Sequence, residues 1–277
     1  MKRRADGEVR SHREESAGQG VLRAAGPADE PGRDHRQVRL GLIQRPPRAP
    51  APDALVGTRL LRLRVVPPLE SAPPPHTVFL ISPANLGGER ARLLFREGAA
   101  SELARRVRSA AGAPLGEVFT FISSLYFRGK LTYASAFARP PEGIDPALII
   151  TPGEGLLPPQ EPLTLERMQA WTAVAVDDRN DDFTRPLVAA VEALERAHGA
   201  TTRFVLLGSV ASNKYVRPLT CVFGDHLLFP PEFIGRGDMS RGGLLLRAVR
   251  DGAELAYAPV EGATRHGKRP PKLTARR

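Results

Sequence analysis

Only one cysteine, Cys221, occurs among the 277 residues. A lone thiol forms no internal disulfide, so nothing points to an oxidising compartment. A zinc cluster built from several thiolates of one chain is excluded. The six histidines, at positions 12, 35, 76, 198, 226 and 266, are scattered, with no pair at i and i+4. A metalloprotease helix, which needs two ligands on one face, is therefore missing. No apolar run approaches the roughly 18–20 residues of a membrane span. The basic opening Met1–Arg4 leads into no apolar segment, so no secretory signal is read and a cytoplasmic location is expected. No G-x-S-x-G elbow presents a nucleophilic serine. Gly262–Lys268 has the outline of a phosphate loop, but Arg269 stands where Ser or Thr is required. Pro270 and Pro271 then block the helix that must follow.

What is abundant is positive charge, formally +10, and it is unevenly placed. Residues 1–75 hold 14 basic and 9 acidic side chains, and residues 264–277 hold 6 basic and none acidic. Residues 76–263 hold 20 basic and 21 acidic ones, so the expected folded body is close to neutral. Basic ends attract polyanions without reading sequence. Residues 1–54 contain no aromatic residue and few aliphatic ones, amid much Arg, Gly, Pro, Glu and Ala. Such a segment buries too little apolar surface to offset its ordering entropy, and a disordered arm is expected. A start codon set too far upstream in GC-rich DNA would yield the same text. Leu61, Leu63 and Val65 alternate with arginines, as in an edge strand, before the stiff stretch Ser71–Pro75. Residues 55–263 are read as one α/β domain and residues 264–277 as a basic flexible tail.

Three short apolar runs, at 77–82, 147–152 and 203–209, have the composition of strands buried on both faces. Helical periodicity separates them, most clearly at Phe183, Leu187, Val191 and Leu194, which leads up to Gly199. Thr164 is placed to cap a helix through Trp171. Thr220–Phe223 and Leu227–Phe229 read as small strands around Gly224. Leu244–Pro259 reads as a hairpin turning at Asp251-Gly252. The expected architecture is a three-layer α/β/α domain with a mostly parallel central sheet and a C-terminal β-hairpin.

Chemistry is expected where strands end in loops. Ser82–Arg90 places Ser82, Asn85, Gly87 and Gly88 between a strand and a helix start, where backbone N–H groups and short polar side chains suit an anion or polar ligand. Leu206–Pro218 repeats the arrangement with Gly208, Ser209 and Lys214. Phe233–Gly243 carries Arg236, Asp238, Ser240 and Arg241 on a loop with four glycines. Arginines there suit bidentate contacts to phosphate or carboxylate, and Asp238 is the candidate general acid or base. Its RGD triplet is no adhesion signal in a chain without an export signal. In Tyr126–Tyr133 aromatics interleave with Arg128 and Lys130. They fit a core stripe with the charges on the wet face better than a stacking platform. Asp177, Asp178, Asp181 and Asp182 lack calcium-loop spacing and suit the start of a helix. No metal and no cofactor is implied.

The runs VFLISPAN, LIITPGEGLLPPQEPLTL and FVLLGS, in that order, resemble the uracil-DNA-glycosylase-like domain attached to archaeal tRNA-guanine transglycosylases and related stand-alone proteins. Thr151, Pro152, Gly155, Leu156, Leu157, Pro158 and Glu161 fall on that family's T-P-x-G-L-V-P-R-E-like loop. The whole pattern is also similar to an uncharacterised bacterial family. The resemblance spans Thr77–Ser209. It departs at the first loop, SPAN rather than a Cys-Ser type, and it lacks the Asp-Pro-Tyr and His-containing leucine loops of true uracil-DNA glycosylases. It implies a fold and a nucleic-acid setting, not glycosylase activity. Three readings follow: a nucleic-acid- or nucleotide-associated binding domain; an enzyme on a small phosphorylated or nucleobase-like substrate; or a protein-interaction module.

Overall fold

The structure, a computed structural model, describes residues 76–271 and residue 273. The arm at 1–54 and the edge strand around Leu63 lie outside the described residues. The first described strand, β1 (His76–Ile81), pairs in parallel on both sides. One neighbour is β3 (Ala147–Thr151), the other β6 (Thr202–Leu207). Next to β6 comes β7 (Leu227–Phe229), also parallel. Short antiparallel strands close the edges, β4 (Gly155–Leu157) on β3 and β8 (Ala258–Pro259) on β7. The order is β4-β3-β1-β6-β7-β8. A separate two-stranded sheet joins β2 (Ala113–Pro114) to β5 (Pro162–Leu163).

Alternation along the strands divides the core in two. Phe79, Ile81, Val205 and Leu207 face one layer of helices: α1 (Glu89–Phe95), α2 (Glu102–Arg108), α3 (Leu115–Phe137), α4 (Leu165–Thr172) and α7 (Asp238–Arg250). Val78, Leu80, Phe204 and Leu206 face α5 (Asp181–His198) and α6 (Asn213–Phe223). Cover on both faces is why these strands are continuously apolar. Local signals set several ends. Thr164 accepts from the Arg167 N–H, and Asn180 accepts from the Asp182 N–H ahead of α5. No helix among the described residues is long and apolar enough to cross a membrane.

Two expectations fail, for local reasons. Thr220–Phe223 is the last turn of α6, which runs on to Gly224, a residue with φ of 54°. The C-terminal β-hairpin is instead α7 followed by extended chain to β8. Asp251-Gly252 terminates a helix here. The Gly252 N–H bonds the Val249 carbonyl, the Ala253 N–H bonds the Ala248 carbonyl, and Gly252 has φ of 63°. That is the Schellman pattern, and it uses the same Asp-Gly pair that a hairpin turn uses.

The helices α3 and α7 cross at almost no distance. A Cβ at Gly242 would lie 2.8 Å from the Tyr126 Cα, and one at Gly129 would lie 2.9 Å from the Gly242 carbonyl oxygen. Only hydrogen fits at either place. Within α3, Ser124 has φ 46° and ψ −116°, a conformation that suits glycine, and the helix kinks there.

Candidate functional site

β1 sits between its chain neighbours. The connection from β1 reaches β3 on one side, and that from β3 returns to β6 on the other. Loops leaving the carboxyl ends of β1 and β6 therefore diverge, and a crevice opens between them. A cleft of about 520 Å³ lies there. The β1 loop contributes Ser82, Asn85 and Gly87, the β3 loop Pro152, and the β6 loop Ser209. Helices supply Ser123, Tyr126, Trp171, Lys214, Tyr215 and Asp238.

Each loop is held by its own residues. Asn85 folds the β1 loop on itself: its Oδ1 accepts the Gly87 N–H at 3.0 Å and its carbonyl accepts the Gly88 N–H at 3.1 Å. Thr151 ties the β3 turn, donating to the Gly155 carbonyl and accepting from the Glu154 N–H. Glu154 in turn accepts from Trp171 Nε1 at 3.0 Å and pairs with Arg167, whose guanidinium stacks 5.6 Å from the Trp171 ring. The indole is thus fixed at the cleft wall. The Arg167 hydrogen bonds hold the Glu154 carboxyl below its usual range.

Behind Ser82, outside the cleft lining itself, lies a buried amine. Lys130, 1% exposed, donates from Nζ to the Ser82 carbonyl at 2.6 Å and to Ser82 Oγ at 3.0 Å. It also lies 4.4 Å from the Tyr126 ring centre and 4.8 Å from that of Phe127. Burial pushes its pKa down to about 7; the Asp238 charge opposes the shift and Arg241 adds to it. The Tyr126 hydroxyl is buried with no hydrogen-bond partner of good geometry, and burial raises its pKa well above the ordinary value. Tyr215 is raised in the same direction, again chiefly by burial.

Of the residues expected from sequence, Ser82, Asn85, Gly87, Ser209, Lys214 and Asp238 line this one cleft. Gly88 caps α1, and Gly208 packs β6 on β1, since a Cβ there would lie 2.9 Å from the Ser82 Cβ. The loop expected at 233–243 is overturned. Gly237 is the N-cap of α7, and Gly242 and Gly243 are inside that helix. Its arginines are committed internally. Arg236 bonds the Glu232 carbonyl, Ser240 Oγ and the Pro271 carbonyl. Arg241, 7% exposed, bonds the Phe233 carbonyl and pairs with Asp238 at 3.4 Å. Neither arginine lines the cleft.

Lys130 is the main correction: the sequence pattern puts its charge on a wet face, and the structure buries it. It follows Tyr126 by one turn and precedes Tyr133 and Ala134 on the same buried stripe. Its position in the periodicity was the available signal. Asp177 and Asp178 are engaged by Arg179 and Arg217, and no group of three or more metal-ligating side chains occurs among the described residues. A second groove of about 570 Å³ runs along α6 beside Cys221, with Arg217 and Arg265 already bonded to Asp178 and Asn213. Comparison with protein-family models, curated proteins and solved structures gives no match for this chain.

Proposed function

We propose that the cleft binds a nucleotide-class ligand, taking a planar nucleobase between aromatic side chains and polar groups at the switch point of the sheet. The observation that carries this reading is the lining itself. Tyr126, Trp171 and Tyr215, each at most 5% exposed, bring aromatic rings to the wall, while Asn85, Ser82, Ser209 and Asp238 offer hydrogen-bonding groups. Lys214 stands at the start of α6, where it adds positive charge for a phosphate. The near-neutral balance of residues 76–263 favours one nucleotide, free or unpaired, over the long charge track of a duplex. The resemblance of Thr77–Ser209 to uracil-DNA-glycosylase-like domains belongs to the same proposal and supports the same ligand class.

The single tryptophan, Trp171, is a built-in reporter because it lines the cleft. Titrating the full chain with nucleosides, nucleoside monophosphates and short single strands should change its fluorescence saturably. Lys214→Ala should weaken the monophosphate more than the nucleoside. Binding of nucleic acid that fades steeply with salt, leaves Trp171 unchanged and is lost on removing residues 264–277 would instead assign affinity to the basic end and overturn the proposal.

A further inference from the structure

The geometry points to Ser82 as a nucleophile and Lys130 as its general base, making the cleft the active site of a serine–lysine acyl-ester hydrolase. The inference rests on the proposed function only in taking this cleft as the ligand site. Three features carry it. First, Ser82 closes the carboxyl end of the central strand and lines the cleft, although it is 5% exposed. Its Oγ accepts from Lys130 Nζ at 3.0 Å and donates to the Leu207 carbonyl at 3.4 Å, a long bond that the serine proton leaves when the neutral amine accepts it. Second, both hydrogen bonds of the Lys130 amine go to Ser82, while Asp238 is ion-paired with Arg241. A structural lysine is normally neutralised by an acid, whereas this one meets only the carbonyl and hydroxyl oxygens of Ser82. Third, the Tyr126 and Phe127 rings cover the amine and strip it of solvation, which favours its neutral form.

A neutral amine at this place accepts the serine proton. The charged groups facing it are Asp238 and Arg241 from α7. Tyr126, from its own helix, stays protonated, and Ser82 faces it from the β1 loop. With the folded-state pKa near 7, a large share of the protein holds the amine neutral at physiological pH. The step balances without a cofactor. Ser82 Oγ attacks the ester carbonyl carbon as its proton passes to Lys130 Nζ, and the C–O bond to the leaving alcohol breaks as that proton is handed on. Water, deprotonated by Lys130, then cleaves the acyl-serine and releases the carboxylic acid. Lysine as the base for serine is a known variant of the triad logic.

The test uses an alkyl fluorophosphonate on the full chain, read by intact mass and peptide mapping. The Ser82 oxygen forms a bond to phosphorus, fluoride leaves and Lys130 takes the proton. One adduct is expected, on Ser82, with a rate that rises through an inflection near pH 7 and is flat above it. Ser82→Ala should give no adduct. Lys130→Met should keep a cooperative thermal transition yet label on the order of 100-fold more slowly or worse, the usual scale of lost general-base catalysis. No adduct on the wild type, an adduct on another residue, or an unchanged rate in Lys130→Met overturns the inference. Nucleotide quenching of Trp171 measured in Ser82→Ala separates the two proposals: quenching without labelling in the wild type retains the binding site and removes the dyad.

Discussion

Replacing Lys130 by methionine removes a buried amine while keeping an unbranched chain of similar reach. In the folded protein the ammonium is fully desolvated, and its pKa falls from about 10.5 to about 7. At about 1.4 kcal/mol per tenfold change, that drop caps the cost of keeping the charge at about 5 kcal/mol. Methionine also leaves the Ser82 carbonyl without its Lys130 partner, a loss of about 1–3 kcal/mol, so the net gain expected from Lys130→Met near pH 6 is about 2–4 kcal/mol. For a domain of this size that is roughly 2–4 °C in Tm per kcal/mol. The sign depends on pH. Below pH 7 folded and unfolded chains both hold the proton, and the cost is complete and constant. Between about 7 and 10.5 the unfolded chain retains a proton that the folded chain has released, so the wild type gains stability as pH rises. The gap between variant and wild type should therefore be widest at pH 6 and close towards pH 10. Paired denaturation curves at matched ionic strength measure it, and the other titrating groups cancel in the difference. A gap that stays constant from pH 6 to 10 would refute the argument, because the amine would then remain charged in the fold throughout.

Three further outcomes are expected. Ser124→Gly should raise stability by about 1 kcal/mol, measured by thermal shift, because φ 46° and ψ −116° strain a residue with a Cβ. A loss of stability would show the kink is held for another reason. Gly242→Ala should cost about 1–3 kcal/mol, since the new methyl meets Tyr126 Cα and the Leu125 carbonyl oxygen, which cannot rotate away; an unchanged denaturation midpoint would contradict the close crossing of α3 and α7. At the other end of β1, Glu254 joins Arg139 at 3.0 Å and Arg203 at 3.3 Å. Glu254→Ala should lower stability by about 1–3 kcal/mol, with Glu254→Gln recovering part of it, as two half-buried guanidinium groups lose their shared carboxylate.

Much of this molecule was legible in the chain text. The runs Val78–Ile81, Ala147–Ile150 and Phe204–Leu207 are apolar without a break, as suits a strand covered on both faces. Thr164 announces the helix it caps, and the spacing from Phe183 to Leu194 defines the buried face of α5. Polar loops follow three parallel strands, and six sequence-chosen residues do meet in one cleft. Other features were undecided because the local signals serve two structures equally. Asp251-Gly252 closes a hairpin or caps a helix. The glycines of 235–243 suit a loop, yet Gly242 exists to let α7 lie against Gly129 of α3. That crossing turns Arg241 inward and brings Asp238 to the cleft. Lys130 is the clearest case. Its charge argues for solvent; the ring faces come from the preceding turn of its own helix, but only the packing of α3 against the end of β1 supplies the Ser82 oxygens that make burial tolerable. Local propensity and periodicity depend on neighbours in sequence, whereas the environment of a side chain depends on segments more than a hundred residues apart, which meet only when the layers close.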